Sequence, residues 1–374
     1  MSEIKVNSIK GVAASSAAIS VDNSSGSATA NLTTVNSVTM PNGGFLSNRN
    51  MVINGNMFIA QLGTSSTSGG YQTVDRHPVY FTGGAVTQSQ QSLNSGSPFD
   101  IGFTKYLRLT NSTANSGTDV ARSTIYKMEA QDVRNSGWNY KSSSSYITIS
   151  FWVRSSVSQQ FYMMVRTQDG TSQAYPFSLG TLSADTWTKV THSIPGNTNL
   201  QFDDDNDRGL EFFLYVSLGT DFTSSSVSLN AWGAYSSSAR LPDYTNSWSA
   251  ATNATFDLTG YQVEVGSTAT EFEYKSFTDE LKRCHRYLFI YGFSEHNSDG
   301  DIEINFIPVD MRALPTVTRL SNVMFGGESS TSVTAIYNNA GFSVNNQPGS
   351  NLILRCINSS DANCGGCYSF SSEL

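Results

Sequence analysis

Residues 256–288 read FDLTGYQVEVGSTATEFEYKSFTDELKRCHRYL, and the change of period inside this stretch decides the fold. From Phe256 to Val265 the apolar residues Phe256, Leu258, Val263 and Val265 alternate with polar or small ones, the pattern of a half-buried strand. Gly266 closes that strand. Phe272, Tyr274 and Phe277 then put large side chains on a segment that must be held against something. Phe277, Leu281, Cys284, Tyr287 and Leu288 fall at helical spacing, with Glu280 ahead of Lys282 and Arg283 as the helix dipole favours. A β domain is therefore expected to end here, and a short helix to pass the chain to a second domain.

Upstream, apolar runs recur between Ser, Gly and Asn clusters: KYLRL, STIYKMEA, SYITISFWV, FYMMVRT, WTKVTHSI, LEFFLYVSL and SVSLNAW, between Lys105 and Trp232. In one of them Ile147, Ile149, Phe151 and Val153 share a face and Thr148, Ser150 and Trp152 share the other. The first set is expected in the core. Many short strands without helix-length amphipathic runs between them predict a two-sheet sandwich or jelly roll, not a parallel α/β fold. Asn54-Gly55 is a turn signal, and Asp75-Arg76 can supply an ion pair to another group.

The signature L-T-G-Y-Q-V-E-V-G-S-T-A-T-E-F-E at 258–273, followed by F-T-D-E-L and C-H-R-Y, resembles a widespread family of bacteriophage tail-fibre and appendage proteins. Other parts of the chain are similar to that family in the same order. Asn48 to Tyr80 resembles its N-x-x-x-N-G opening and D-R-W motif, with His77 in place of the Trp. Lys127-Met128-Glu129 and Thr148 to Val153 resemble its Q-x-I-E and T-x-S-F-W motifs. Met311 to Thr318 and the last residues, Phe370 to Leu374, resemble its M-R-x-x-P-T-V-T and D-A-E-L. The resemblance spans roughly residues 48–374. It implies a jelly roll similar to carbohydrate-binding modules, a homotrimer, and a virion location.

The expected architecture is thus all-β. An extended N-terminal attachment arm covers 1–47, a jelly-roll domain 48–276, a helical junction 277–292 and a C-terminal β knob, a smaller β-sandwich, 293–374. The arm is poor in aromatics and rich in Ser, Ala, Thr and Asn, so it cannot bury enough apolar surface to order itself alone. It is expected either as a tail or as a dock onto a phage tail, baseplate or other virion protein.

With 374 residues the chain can bury real cores, and its charged fraction of 14% is low. A formal charge of −8 without a basic cluster argues against nucleic acid as partner. No run of eighteen or so apolar residues and no signal segment is present, so no membrane partner is expected; the chain should be soluble and made in a cytoplasm. Four cysteines, Cys284, Cys356, Cys364 and Cys367, are too few for a disulfide scaffold. Cys364-Gly-Gly-Cys367 has redox or zinc-like spacing but lacks a second pair, so a local disulfide or buried thiols are favoured over a metal site.

No catalytic constellation stands out. His77, His192, His285 and His296 are scattered, and nothing singles out a carboxylate pair such as Glu129 with Glu211 for glycoside hydrolysis. The acidic run Asp203 to Asp207 lacks EF-hand spacing and reads as a solvated turn, so no metal or cofactor is expected. Sugar binding is the activity expected, since saccharide recognition uses aromatic faces together with Asn, Asp, Gln and Arg. Trp152 is the leading candidate by alternation; Trp138, Tyr140, Trp187, Trp232, Tyr244 and Trp248 follow because they lie in or near loops. The reading is a structural, non-enzymatic virion protein: a trimeric tail fibre that grips a host surface polysaccharide. The alternatives are a head or neck decoration without host contact, and a depolymerase.

Overall fold

A computed structural model describes residues 48–290, 311–313, 315–316, 318 and 369–374 in full. Over 8–9, 19–21, 28–30, 291–297, 301–305, 317, 319–321, 335–338, 352–357 and 362–368 it describes the strands alone. The chain divides into two compact units, Met1–Gly43 and Gly44–Leu374. The first contains three short strands, β1 (Ser8–Ile9), β2 (Ile19–Val21) and β3 (Ala28–Ala30), paired antiparallel in that order.

The second unit is built on two six-stranded sheets. One has the order β14 (Gly233–Ala234), β11 (Gln173–Leu182), β10 (Gln159–Thr167), β13 (Arg208–Leu218), β8 (Ala121–Glu129), β5 (Val79–Thr82). The other has the order β12 (Thr188–Pro195), β9 (Tyr146–Ser155), β15 (Thr255–Val265), β7 (Lys105–Asn111), β6 (Val86–Ser92), β4 (Ser65–Ser66). Sequence neighbours are repeatedly split between the sheets and every pairing is antiparallel, as in a jelly-roll sandwich. Three one-turn helices, α1 (Ser97–Asp100), α2 (Ala130–Arg134) and α3 (Ser247–Ala250), lie in its connections.

Alternation decides which side chains meet between the sheets. Ile147, Ile149, Phe151 and Val153 of β9 face Phe161, Met163 and Val165 of β10 and Leu210, Phe212, Leu214 and Val216 of β13 in one buried cluster. Each such side chain contributes roughly 1.5–3 kcal/mol by leaving water, so this cluster is the main stabilising term. The alternation expected from Phe256 to Val265 holds only in two halves. Leu258 and Val263 are an odd number of residues apart yet both reach the core, because the register against β9 shifts between Thr259 and Gln262. Gly260, at φ +64, takes up the extra residue, and Tyr261 turns inward, edge-on to Phe151 at 5.6 Å.

One expectation is corrected here, and one strand was not foreseen. Ser226 to Trp232 is a loop, not a strand: Val227 N–H bonds back to the Ser224 carbonyl, and Asn230 sits at φ +60, where extended pairing stops. β11, by contrast, forms despite Pro176 because its outer neighbour β14 pairs only with Gln173 and Ala174.

Helix α4 (Phe277–His285) follows, its first turn capped by Ser276 Oγ, which accepts from Asp279 N–H at 3.2 Å. Its buried residues are Glu280 and Cys284; Phe277, expected on the packed face, is 56% exposed. The helix is narrower in its contact than the periodicity implied because its buried stripe is one residue per turn. Beyond it, β16 (Leu288–Asn297), β21 (Ala362–Ser371) and β18 (Thr316–Ser321) form one three-stranded sheet. β17 (Asp301–Asn305), β20 (Leu352–Ile357) and β19 (Ala335–Asn338) form another. The side chains of Cys356, Cys364 and Cys367, and with them the expected disulfide, lie outside the described residues.

The last residues return to the sandwich. Ser372 N–H donates to the Tyr287 carbonyl at 2.8 Å, Leu374 O accepts from Lys127 Nζ at 2.5 Å and Tyr71 Oη at 3.1 Å, and Glu373 pairs with Arg76. Arg76 makes the ion pair that was expected of it, and makes it inside the protein. It is fully buried, with its guanidinium 3.4 Å from the Tyr287 ring centroid and one nitrogen on the Lys127 carbonyl at 2.7 Å. His77, in the place of the expected Trp, is equally buried, tilted against Tyr126 at 5.3 Å and Tyr261 at 6.0 Å.

Candidate functional site

The segment between β15 and α4 is fixed by polar side chains that the strand itself supplies. Gln262, fully buried, accepts from Glu273 N–H at 2.8 Å and donates to the Glu271 carbonyl at 3.3 Å. Glu264 accepts from both Thr270 N–H (2.8 Å) and Thr270 Oγ1 (2.7 Å). These bonds give the Q-V-E-V-G-S-T-A-T run a local physical purpose: they fold residues 270–274 back along the strand that precedes them. Phe272 packs edge-on to Phe103 at 4.9 Å, and Tyr274 lies 5.4 Å from the same ring with its hydroxyl on the Ile101 carbonyl at 2.7 Å.

The entering chain borders the same place. Asn54, at φ +59, closes the expected turn: its amide bonds the Ile59 and Asp75 carbonyls at 2.9 Å each, and its own N–H donates to Glu280 at 2.5 Å. Gly55 is required there, because a Cβ would lie 2.0 Å from the Tyr261 carbonyl oxygen. This turn sends Phe58 outward, where it meets Phe277 edge-on at 5.7 Å.

The result is a groove of about 220 Å³ with Phe58, Phe103, Tyr274 and Phe277 as its aromatic lining and Asn56, Thr104, Lys275 and Glu280 as its polar lining. Three of the six large hydrophobic residues exposed among the described residues, Phe58 at 43%, Tyr274 at 49% and Phe277 at 56%, line it. A fourth, Ile101, is the residue to which Tyr274 is bonded. Such a groove offers ring faces to C–H surfaces and donors and acceptors to hydroxyl groups around them, as ligand clefts in general do. Among the described residues no group of three or more His, Cys, Asp or Glu side chains is placed to hold a metal ion.

The residues expected from sequence are placed as follows. Trp152 and Trp187 are half-buried in the cluster of Leu93, Phe103 and Tyr106, so they stand behind the groove's floor instead of lining it. Trp187 is edge-on to Tyr106 at 5.6 Å, with Arg154 4.8 Å above its ring. Trp138 and Trp248 are core residues and have no ring face to offer: the first donates Nε1–H to the Ser145 carbonyl at 3.3 Å, and the second is wholly buried. Tyr140 packs edge-on to Phe202 at 4.9 Å, Trp232 donates to the Pro195 carbonyl at 2.7 Å, and Tyr244 lies 5.1 Å from Tyr162. These three are partly buried at separate places. Loop position misled because the loops fold back over the sheets. The signal that finds the groove is the aromatic triplet Phe272, Tyr274, Phe277 just past the strand, two members of which stay open to solvent.

The carboxylates considered for hydrolysis are each engaged. Glu129 accepts from Arg286 at 2.8 and 2.7 Å and from Tyr287 Oη at 2.6 Å; burial raises its pKa, but these bonds outweigh burial and leave it lowered. Glu211 is bonded to Arg208 and Gln168 and lies 4.0 Å from Arg166. In the acidic run, Asp203, Asp204 and Asp205 are exposed, and Asn206 is tied to Arg312, which donates to its carbonyl at 2.8 Å.

No family model and no curated protein matches the chain. Solved structures with similar folds include the enzymatically active domain of tailspike protein 4 from bacteriophage CBA120, at 12% identity and a TM-score of 0.31 over 58% of this chain and 21% of that one. They also include the N-terminal cellulose-binding domain of β-1,4-glucanase C from Cellulomonas fimi, at 11% identity and 0.28 over 57% of this chain and 100% of that one. A third is the tripod from the baseplate of bacteriophage Tuc2009, at 10% identity and 0.26 over 60% of this chain and 58% of that one. The chain matches about a fifth of the tailspike domain's length. Phage tailspike and baseplate proteins and carbohydrate-binding modules thus stand among its structural neighbours.

Proposed function

We propose that the chain is a non-catalytic, saccharide-binding protein of a tailed-phage virion, a homotrimeric tail fibre that grips a host surface polysaccharide through the groove between Phe58, Tyr274 and Phe277. One observation carries the reading. Of the five aromatic side chains exposed among the described residues, three, Phe58, Tyr274 and Phe277, meet at one groove with polar residues between them, while the tryptophans are buried or half-buried. The sequence resemblance over 48–374 supports the virion assignment. The engagement of Glu129 and Glu211 by arginines supports a binding role in place of hydrolysis.

Binding of host polysaccharide fragments to the full chain tests this. Phe277→Ala, at an exposed position, is expected to weaken binding by about tenfold with an unchanged unfolding midpoint; Tyr274→Ala should weaken it about as much while lowering the midpoint, since it also removes the hydroxyl bond to the Ile101 carbonyl. Unchanged affinity in both variants would end the groove assignment. Release of new reducing ends from host polysaccharide would replace binding with depolymerisation. A stable monomer by native mass spectrometry would remove the fibre.

A further inference from the structure

A second and larger cavity, about 610 Å³, opens between the Asn48–Ile53 segment, α2 and the second half of α4. Its charged lining is Arg49, Arg283, Arg286 and Asp132, with Met51 and Val265 among the apolar groups. Three arginines line it against one aspartate, in a chain whose formal charge is −8, though Glu129 and Glu280 stand behind two of them. Not all three are already spent. Arg286 is held by Glu129 in a two-pronged pair. Arg49 makes one bond, to the Glu271 carbonyl at 3.2 Å, and its Nε is buried without a partner. Arg283 Nη1 makes an ion contact of 3.7 Å with Glu280, whose oxygen also takes the Asn54 N–H, and has no hydrogen bond beyond that contact.

Arg49, with a single carbonyl bond, and Arg283, with one ion contact at 3.7 Å, therefore line one cavity with N–H donors left for water or a ligand to satisfy. A planar fork of donors is matched by an oxyanion, and a carboxylate takes two parallel N–H bonds where a hydroxyl takes one. Met51 and Val265 give the remainder of the lining an apolar surface for a ring's C–H face. We propose that this cleft binds the carboxylate of an acidic saccharide, a uronic-acid residue, through Arg49 and Arg283, as a site separate from the aromatic groove. It rests on the saccharide-binding reading. Asp132 sets its limit by opposing a second negative charge.

The test is calorimetric titration of the full chain with a galacturonate trisaccharide and its neutral galactose counterpart. The acidic sugar is expected to bind at least about tenfold more tightly, and more weakly as salt rises. Arg49→Gln and Arg283→Gln should each cost about tenfold, and Asp132→Asn should strengthen binding about threefold. That opposite sign cannot come from misfolding. The preference for the acidic over the neutral sugar should persist in Phe277→Ala and vanish in Arg49→Gln, so loss of the groove reading and loss of the cleft register in different readouts. Equal binding of the neutral sugar, no effect of Arg49→Gln, or weakening by Asp132→Asn overturns the proposal. Inorganic phosphate binding as tightly as the trisaccharide would also overturn it, by reducing the site to an oxyanion trap.

Discussion

At His77 the chain buries an imidazole where the resembling family has a Trp, and the surroundings settle its charge. Burial, with help from the Arg76 guanidinium, pushes its pKa down to about 3, so the ring is neutral when folded. An unfolded histidine takes up a proton below about 6.5. The folded form cannot follow until far lower, so this residue's stabilisation is complete above 6.5 and is lost as pH falls toward 3. Asp75 next to it has the opposite sense: burial lifts its carboxyl to about 6, so below that pH the folded state holds the extra proton and gains. The two cancel in part, and a plain pH scan of the wild type hides both. Comparing wild type with His77→Phe by urea unfolding isolates the histidine: the variant's relative stability should rise by about 2 kcal/mol between pH 7 and pH 5. A difference independent of pH would mean the imidazole is charged or exposed. Arg76 belongs to the same interior. Its Glu373 and Tyr287 partners are far away in sequence, so nothing local could show that this arginine is inside. Arg76→Met, which leaves Glu373 buried without its cation, should cost about 3–5 kcal/mol, read from the same unfolding curves.

Among the elements, β9 was fully legible because strict alternation of β-branched and aromatic residues permits only one inward face. β15 was legible as a strand but not in phase. A single extra residue reverses every side chain after it, and only the left-handed Gly260 marks the place. That glycine is open to test. A Cβ on it would come within 2.6 Å of the Phe103 ring, so Gly260→Ala combines backbone strain with a clash at the groove's floor. The expected cost is about 2–4 kcal/mol, seen as a lower urea midpoint at unchanged slope; a neutral substitution would mean the bulge can relax. The functional site was harder to see than the strands for a related reason. Tryptophans near loops look exposed in sequence, and here each loop closes over a sheet. Phe277, expected on the packed face, is left outside by a helix that buries only Glu280 and Cys284, and a turn leaves Phe58 outside beside it.

For the molecule as a whole, the division at Gly43 makes a statement about cooperativity. If Met1–Gly43 docks on a virion while the rest binds sugar, deleting 1–43 should leave the sandwich's unfolding free energy within about 0.5 kcal/mol and abolish incorporation into particles. A large loss of stability would make the first unit part of the fold. Trimeric presentation would multiply weak contacts, since linked sites rebind at high effective concentration. Affinity for a polymeric glycan should then exceed that for its short fragment by about a hundredfold, measured with immobilised polysaccharide against a soluble fragment.

Cys284 sits in the wall that α4 shares with Ile53, Ile59 and Tyr287, wholly shielded, its thiol pushed well up by burial and the nearby carboxylates. A maleimide can reach that sulfur only when the helix lifts away, so the rate at which this one peptide becomes alkylated, followed by mass mapping, is a clock for breathing of the partition separating groove from cleft. Sugars that hold the partition shut should slow the clock.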